Sequence, residues 1–195
     1  MYENDAPVRH AVHGLVRQRF SGRAFDPRPV DKGKILSCLE AACWAPSQAN
    51  EQPWTFVVGM KGEGDTWEAI FGTLKEGNRV WCARAPVLIL ACAKRTTSKG
   101  SEYRYAWHDL GSSCENLHLQ AVDLGLRSHP MGGFDSATAR EALGLPEDVD
   151  AVTVIALGYP ASADTLNEPL RGRETAERQR KPLTETVFFS RWGKG

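Results

Sequence analysis

No stretch of this sequence is apolar for long enough to cross a membrane. The longest uninterrupted run is Val87–Ala93, seven residues, against about 20 for a spanning helix. The chain also lacks an excess of either charge, since 24 Lys and Arg face 24 Asp and Glu. A balanced chain has no broad field with which to hold nucleic acid or a membrane surface, although local basic patches survive. Paired cysteines are missing as a pattern. Cys38, Cys43, Cys82, Cys92 and Cys114 are odd in number and none forms a C-x-x-C pair. They read as buried free thiols in a reducing cytoplasm. The opening MYENDAPVRH carries acidic residues and no apolar core, unlike a secretory signal.

Familiar catalytic signatures are missing too. There is no G-x-x-x-x-G-K, no H-E-x-x-H and no G-x-S-x-G, and Gly62-Glu63-Gly64 lacks the third glycine of a dinucleotide fingerprint. His10 and His13 share an expected helix face, with no neighbouring carboxylate or cysteine to complete a metal site. His108, His118 and His129 read as surface or internally satisfied imidazoles. No metal ligand and no side-chain nucleophile is assigned.

What remains is ordinary globular material of 195 residues, 42% hydrophobic and 25% charged, expected to form a single domain over 1–195. Val8, Val12, Leu15 and Val16 place one apolar face on a helix over 6–20. Asp31 is a good N-cap for a second helix over 31–45, with its stripe at Ile35, Leu36, Leu39, Ala42 and Cys43. WTFVV (54–58) predicts a strand, 65–76 a helix, and VLILACA after Pro86 a strand buried on both faces. Leu110, Cys114, Leu117, Ala121 and Leu124 predict the longest helix, 106–125, with Gly125 as its stop. A short helix at 136–143 and a buried strand at Val152–Leu157 follow. Helices and strands in this order predict an α+β fold of three α/β/α layers around a small central sheet. Residues 161–195 form a polar C-terminal arm that ends in Phe188, Phe189 and Trp192. Burying each aromatic is worth about 1.5–3 kcal/mol, so the arm is expected to lie across its own domain or onto a partner subunit.

Three segments are poorly explained as scaffold. In RFSGRAF (19–25), Arg19, Ser21 and Arg23 alternate, so an extended backbone puts two guanidinium forks and a hydroxyl on one side. That suits a phosphate or an electron-rich ring. In APSQANEQPW (45–54), prolines stiffen a loop of amides able to read the edge of a heterocycle. The arm carries Arg171, Arg173, Arg178, Arg180 and Lys181 against Glu174 and Glu177, a net +3 in a neutral protein.

Together with DLGSSCENLHLQAVDLGL (109–126), MGGF (131–134), ALGYP (156–160) and RQRKP (178–182), these segments resemble the nitroreductase-like family of FMN-dependent oxidoreductases, in the family's order. The resemblance spans Leu15 to about Val187. It implies a mixed central sheet flanked by helices, a C-terminal arm swapped onto the partner, and a homodimer with FMN at the subunit interface. Arg19, Arg178 and Arg180 would bind the FMN phosphate, Ser21 the ribityl or phosphate region, and Arg23 the pyrimidine edge, where it would tune the flavin. Pro46, Ser47, Gln48 and Asn50 would reach the flavin from the other subunit. Met131, Gly132 and Gly133 would lie on its N5 side, and Asn78 would also touch the ring. Phe20 joins the cofactor set where some members carry a polar residue. The resemblance further implies hydride transfer from NAD(P)H to a nitroaromatic, quinone or flavin-like acceptor in ping-pong order. A specialised flavoenzyme (dehalogenase, flavin-fragmenting or natural-product dehydrogenase) and a non-turnover flavin carrier or sensor are the alternatives.

Overall fold

The computed structural model describes residues 5–194. In chain order its elements are α1 (Gly14–Gln18), β1 (Phe25–Asp26), α2 (Lys32–Cys43), β2 (Trp54–Met60), α3 (Thr66–Thr73), α4 (Glu76–Cys82), β3 (Val87–Lys94), α5 (Ala106–Asp123), β4 (Arg127–Met131), α6 (Ser136–Leu143), β5 (Val149–Pro160) and α7 (Leu170–Thr175). The strands form one sheet in the order β2–β3–β5–β4, with β1 pairing the far end of β5.

The expected three layers are present, and the residues of β3 explain them. Leu88, Leu90 and Cys92 face Trp67 and Ile70 of α3, Trp81 of α4 and Ala139 of α6. Val87, Ile89, Ala91 and Ala93 face Ile35, Cys38 and Ala42 of α2 and Leu110, Leu117 and Ala121 of α5. A period of two with both faces apolar requires cover on both sides. β5 repeats the pattern, with Val154 and Ala156 on one face and Ile155 and Leu157 on the other. A one-residue bulge falls opposite the Ala91–Cys92 step of β3, which keeps each strand's apolar set on its proper side.

The structure corrects several expectations. The sheet is antiparallel at every pairing of the described strands rather than mixed; a doubly buried strand has the same apolar pattern in either direction. The helix predicted over 6–20 is reduced to Gly14–Gln18, started by His13, whose Nδ1 accepts from the Leu15 N–H. Its stripe finds little to bury against, because Val8, Val12 and Val16 are all more than 40% exposed. His10 and His13 therefore do not share a helix face. The helix expected over 65–76 is α3, and a further helix not expected from the sequence, α4, follows it from Glu76. Strand β4 carries Pro130, which an edge position tolerates because its lost N–H interrupts no inner ladder. Of the cysteines, all five are free but Cys43 is exposed. The tail's Phe188 and Trp192 rings lie 5.8 Å apart, yet Phe189 and Trp192 are 97% and 93% exposed.

Gly59 of β2 has no room for a side chain. A Cβ there would stand 2.5 Å from the backbone N and Cα of Trp67, and backbone cannot swing aside. Gly59→Ala is expected to destabilise the fold by about 1–3 kcal/mol, read as a lower urea midpoint at unchanged slope. An unchanged midpoint would contradict this packing.

Candidate functional site

The chain between α1 and β1 is extended, and it is here that the two ends of the polypeptide meet. The Arg19 guanidinium donates to the Ser21 hydroxyl at 3.0 Å and lies 3.8 Å from Glu115 of α5. Arg178 comes in from the arm. Its Nη1 and Nη2 donate to the carbonyls of Arg17 and Arg19 at 2.6 and 2.7 Å. Those carbonyls belong to the end of α1, where the helix supplies no partners of its own. Phe20 lies between two guanidinium groups, with Arg127 at 5.6 Å and Arg178 at 5.7 Å from its ring. The pKa of Arg178 is lowered by burial first, then by the charges of Arg19 and Arg180. Arg19, Arg178 and Arg180 are thus one cationic group built from opposite ends of the sequence.

Below this group the backbone is held from inside. The His129 Nδ1–H donates to the Gly22 carbonyl at 3.1 Å, and its ring packs 4.6 Å from that of Trp81. His118 and the Ser128 hydroxyl are 2.8 Å apart. Both imidazoles are buried, and burial pushes both pKa values down to about 4, aided by nearby arginines. Neutral histidines add no further positive charge beneath the arginines. The pKa of Arg23 is also lowered by burial, with Glu174 acting the other way. Glu174 accepts from the Arg23 N–H at 2.6 Å and pairs with Arg127 at 2.5 Å.

The amide loop is built differently. Ala49, Asn50 and Gln52 have φ of 53°, 57° and 47°, a left-handed backbone that non-glycine residues hold only under external constraint. The constraint is Asp109, almost fully buried at the start of α5. Its carboxylate accepts from the Gln48 N–H at 3.0 Å and from the Tyr103 hydroxyl, and pairs with His108 at 2.8 Å. Glu51 binds Ser98, and the Ser47 hydroxyl accepts from the Gln52 N–H. Pro46, Gln48 and Asn50 are exposed and Ser47 half-buried. Asp109 and Glu115 are six residues apart on α5, which is about 9 Å along the axis and about 120° around it. The loop and the arginine group therefore flank α5 on different faces.

The MGGF segment follows β4. Met131 points into the core, so exposed backbone begins at Gly132. The Gly133 carbonyl accepts from the Asn78 side chain at 3.0 Å and from the Lys75 N–H at 2.9 Å. A Cβ on Gly133 would fall 2.7 Å from the Asn78 amide. Sequence reasoning grouped Arg19, Ser21, Arg178 and Arg180 but missed Arg127, Glu174, His129 and Asp109. Their partners are mostly backbone groups far away in sequence, which no local spacing announces.

The nitroreductase family model matches residues 16–79 and 60–159, most of the chain. This protein belongs to the nitroreductase family. Among curated members, a NADH dehydrogenase of Thermus thermophilus is 31% identical over 194 residues, covering 82% of this chain and 91% of its own. A crystal structure of an oxidoreductase containing FMN superposes with a TM-score of 0.93 at 31% identity, covering 100% of both chains. A nitroreductase-type structure from Desulfovibrio desulfuricans in complex with FMN gives 0.70 at 27% identity, over 89% of this chain and 92% of that one. Among the described residues no helix is long and apolar enough to cross a membrane.

The two buried imidazoles make stability depend on pH. Their folded pKa values, about 4, lie below the unfolded value of about 6.5. Between these limits the unfolded chain binds more protons, so stability is full above about 6.5 and falls as pH drops toward 4. The loss is on the order of 3 kcal/mol per imidazole. Urea unfolding from pH 7 to pH 4 should show this slope, and His129→Asn should remove about half of it. A variant with the wild-type slope would contradict the assignment.

Proposed function

We propose that this nitroreductase-family protein is an FMN-dependent oxidoreductase that carries hydride from NAD(P)H to a small organic acceptor of the nitroaromatic, quinone or flavin type. The observation that carries the reading is that Arg178 of the arm meets the Arg19–Ser21 segment, with Arg180 two residues further on. Guanidinium forks and a hydroxyl gathered in one region, outnumbering the carboxylates Glu115 and Asp5 beside them, fit a phosphate dianion. The FMN-containing relative that superposes over the whole chain supports the same cofactor.

Each group has a distinct task in this reading. Arg19, Ser21 and Arg180 donate to the phosphate. Arg178 shares that task and also holds the end of α1 in place. Phe20 supplies the apolar face on which Arg178 rests. Arg23 faces the pyrimidine edge. When bound, FMN would supply two-electron hydride chemistry between NAD(P)H and the acceptor. Arg23 stabilises the negative charge that reduction places on the N1–C2=O edge, because a preorganised cation acts where charge develops. Gly132 and Gly133, lacking side chains, would leave the reactive side of the bound group open to donor and acceptor, which would take turns there in ping-pong order. No side-chain nucleophile takes part.

The loop with Pro46, Ser47, Gln48 and Asn50 serves the flavin of the second subunit in a homodimer. Its position on a different face of α5 from the arginine group supports this, as do exposed Val12, Val16, Trp44, Trp107, Phe189 and Trp192, which a partner would cover. The end of the arm, beyond the contacts of Glu174 and Arg178, lies on that partner. The single domain works in the cytoplasm, where free thiols persist.

Arg180→Ala should weaken FMN binding by about 1.5–3 kcal/mol, measured by titration of the apoprotein. Full affinity in that variant would make the arm mere scaffold. Arg23→Gln should lower the potential of the bound flavin and slow its reduction by NAD(P)H; an unchanged potential would exclude its role. Steady NAD(P)H oxidation with an added acceptor separates an enzyme from a carrier, which would be reduced once and stop.

A further inference from the structure

One buried carboxylate sits beneath Arg23 and belongs to none of the roles above. Glu174 sits in α7 with its side chain 5% exposed, paired with Arg127, itself 13% exposed, at 2.5 Å. Its Oε2 accepts from the Arg23 N–H at 2.6 Å, and its Oε1 lies 3.5 Å from the Ala24 N–H. Arg127 continues the link by donating to the Ala24 carbonyl at 3.3 Å and lying beside Phe20. The fit is close enough to dictate Gly22, where a Cβ would fall 2.5 Å from both Arg127 Nη1 and Glu174 Oε1.

We infer that Glu174 is a positioning residue of the flavin site, one that locks the arm to the segment carrying Arg19, Ser21 and Arg23 and moderates the positive field at Arg23. The inference rests on the reading of this site as the FMN site. Three segments meet at this carboxylate. The first is the 19–25 backbone. The second is β4, which Arg127 opens and which leads through His129 to Gly132. The third is the arm, where Arg178 and Arg180 follow Glu174 by four and six residues. A buried carboxylate is tolerated here because a guanidinium and backbone N–H groups satisfy it. Its charge also acts outward. A negative group beneath Arg23 opposes the build-up of negative charge on the flavin edge, so it sets the potential lower than the arginines alone would.

The test compares full-length wild type, Glu174→Gln and Glu174→Ala for FMN affinity, the midpoint potential of bound FMN, and trypsin cleavage at Arg178–Lys181 in the FMN-loaded state. Glu174→Gln keeps an acceptor for the Arg23 N–H and removes the charge. It should shift the potential positive and bind FMN more weakly than wild type but more tightly than Glu174→Ala. Glu174→Ala removes the acceptor as well, and should raise the Kd by about tenfold or more and speed cleavage of the arm. Should Glu174→Ala fail to fold, the potential of Glu174→Gln decides alone. A positive shift supports the inference, and no shift or a negative one overturns it. Variants matching wild type in all three readouts overturn it too. Wild type that takes up no FMN would instead overturn the functional reading itself.

Discussion

The cradle exists because the two ends of this chain are tied together by hydrogen bonds between arginine or glutamate side chains and backbone. Arg178 satisfies the carbonyls that end α1, and Glu174 satisfies N–H groups just before β1. Residues 19–25 are extended and would otherwise leave these groups to water. Bonds of this kind act twice. They satisfy polar groups at a helix end and in a partly buried strand entry, and they fix the guanidinium groups that face outward. The short α1, with its exposed valines, has little other means of being held.

Charge is arranged in depth. At the surface stand Arg19, Arg178 and Arg180. Beneath them lie imidazoles that burial keeps neutral, and beside Arg23 lies one buried carboxylate. Two guanidinium groups also rest on Phe20, an apolar ring whose face attracts cations. Placing cations on an aromatic ring and neutral imidazoles, with the nearby negative charge limited to Glu174, Glu115 and Asp5 among the described residues, leaves a net positive field directed toward solvent, where an anion can meet it. The amide loop follows a different logic. Its strained backbone is held by one buried carboxylate, Asp109, with Tyr103 raised in pKa by burial and by that same group.

Much of the fold was legible in the sequence where period and burial agreed. VLILACA marked a strand covered on both faces, and Asp31 begins α2 as a cap does. Legibility failed where one signal had two meanings. The valines of residues 6–20 fitted a helix but face outward, and RSHPM hid a strand behind proline and polar residues because it lies at an edge. Site chemistry showed the same division. Alternation exposed Arg19, Ser21 and Arg23 as a group, and charge density drew attention to the arm. Glu174, counted only as a counter-charge in the arm, proved to be the residue that joins it to the Arg23 N–H, 151 positions away in sequence.

The most direct measurement compares FMN with riboflavin, which lacks only the phosphate, as ligands of the apoprotein and of an Arg19→Ala/Arg180→Ala variant. Two charge-assisted contacts predict that wild type favours FMN by about a hundredfold or more, and that this preference collapses in the variant while riboflavin affinity barely moves. Equal affinity of wild type for both ligands, or a preference that survives the double substitution, would contradict the account.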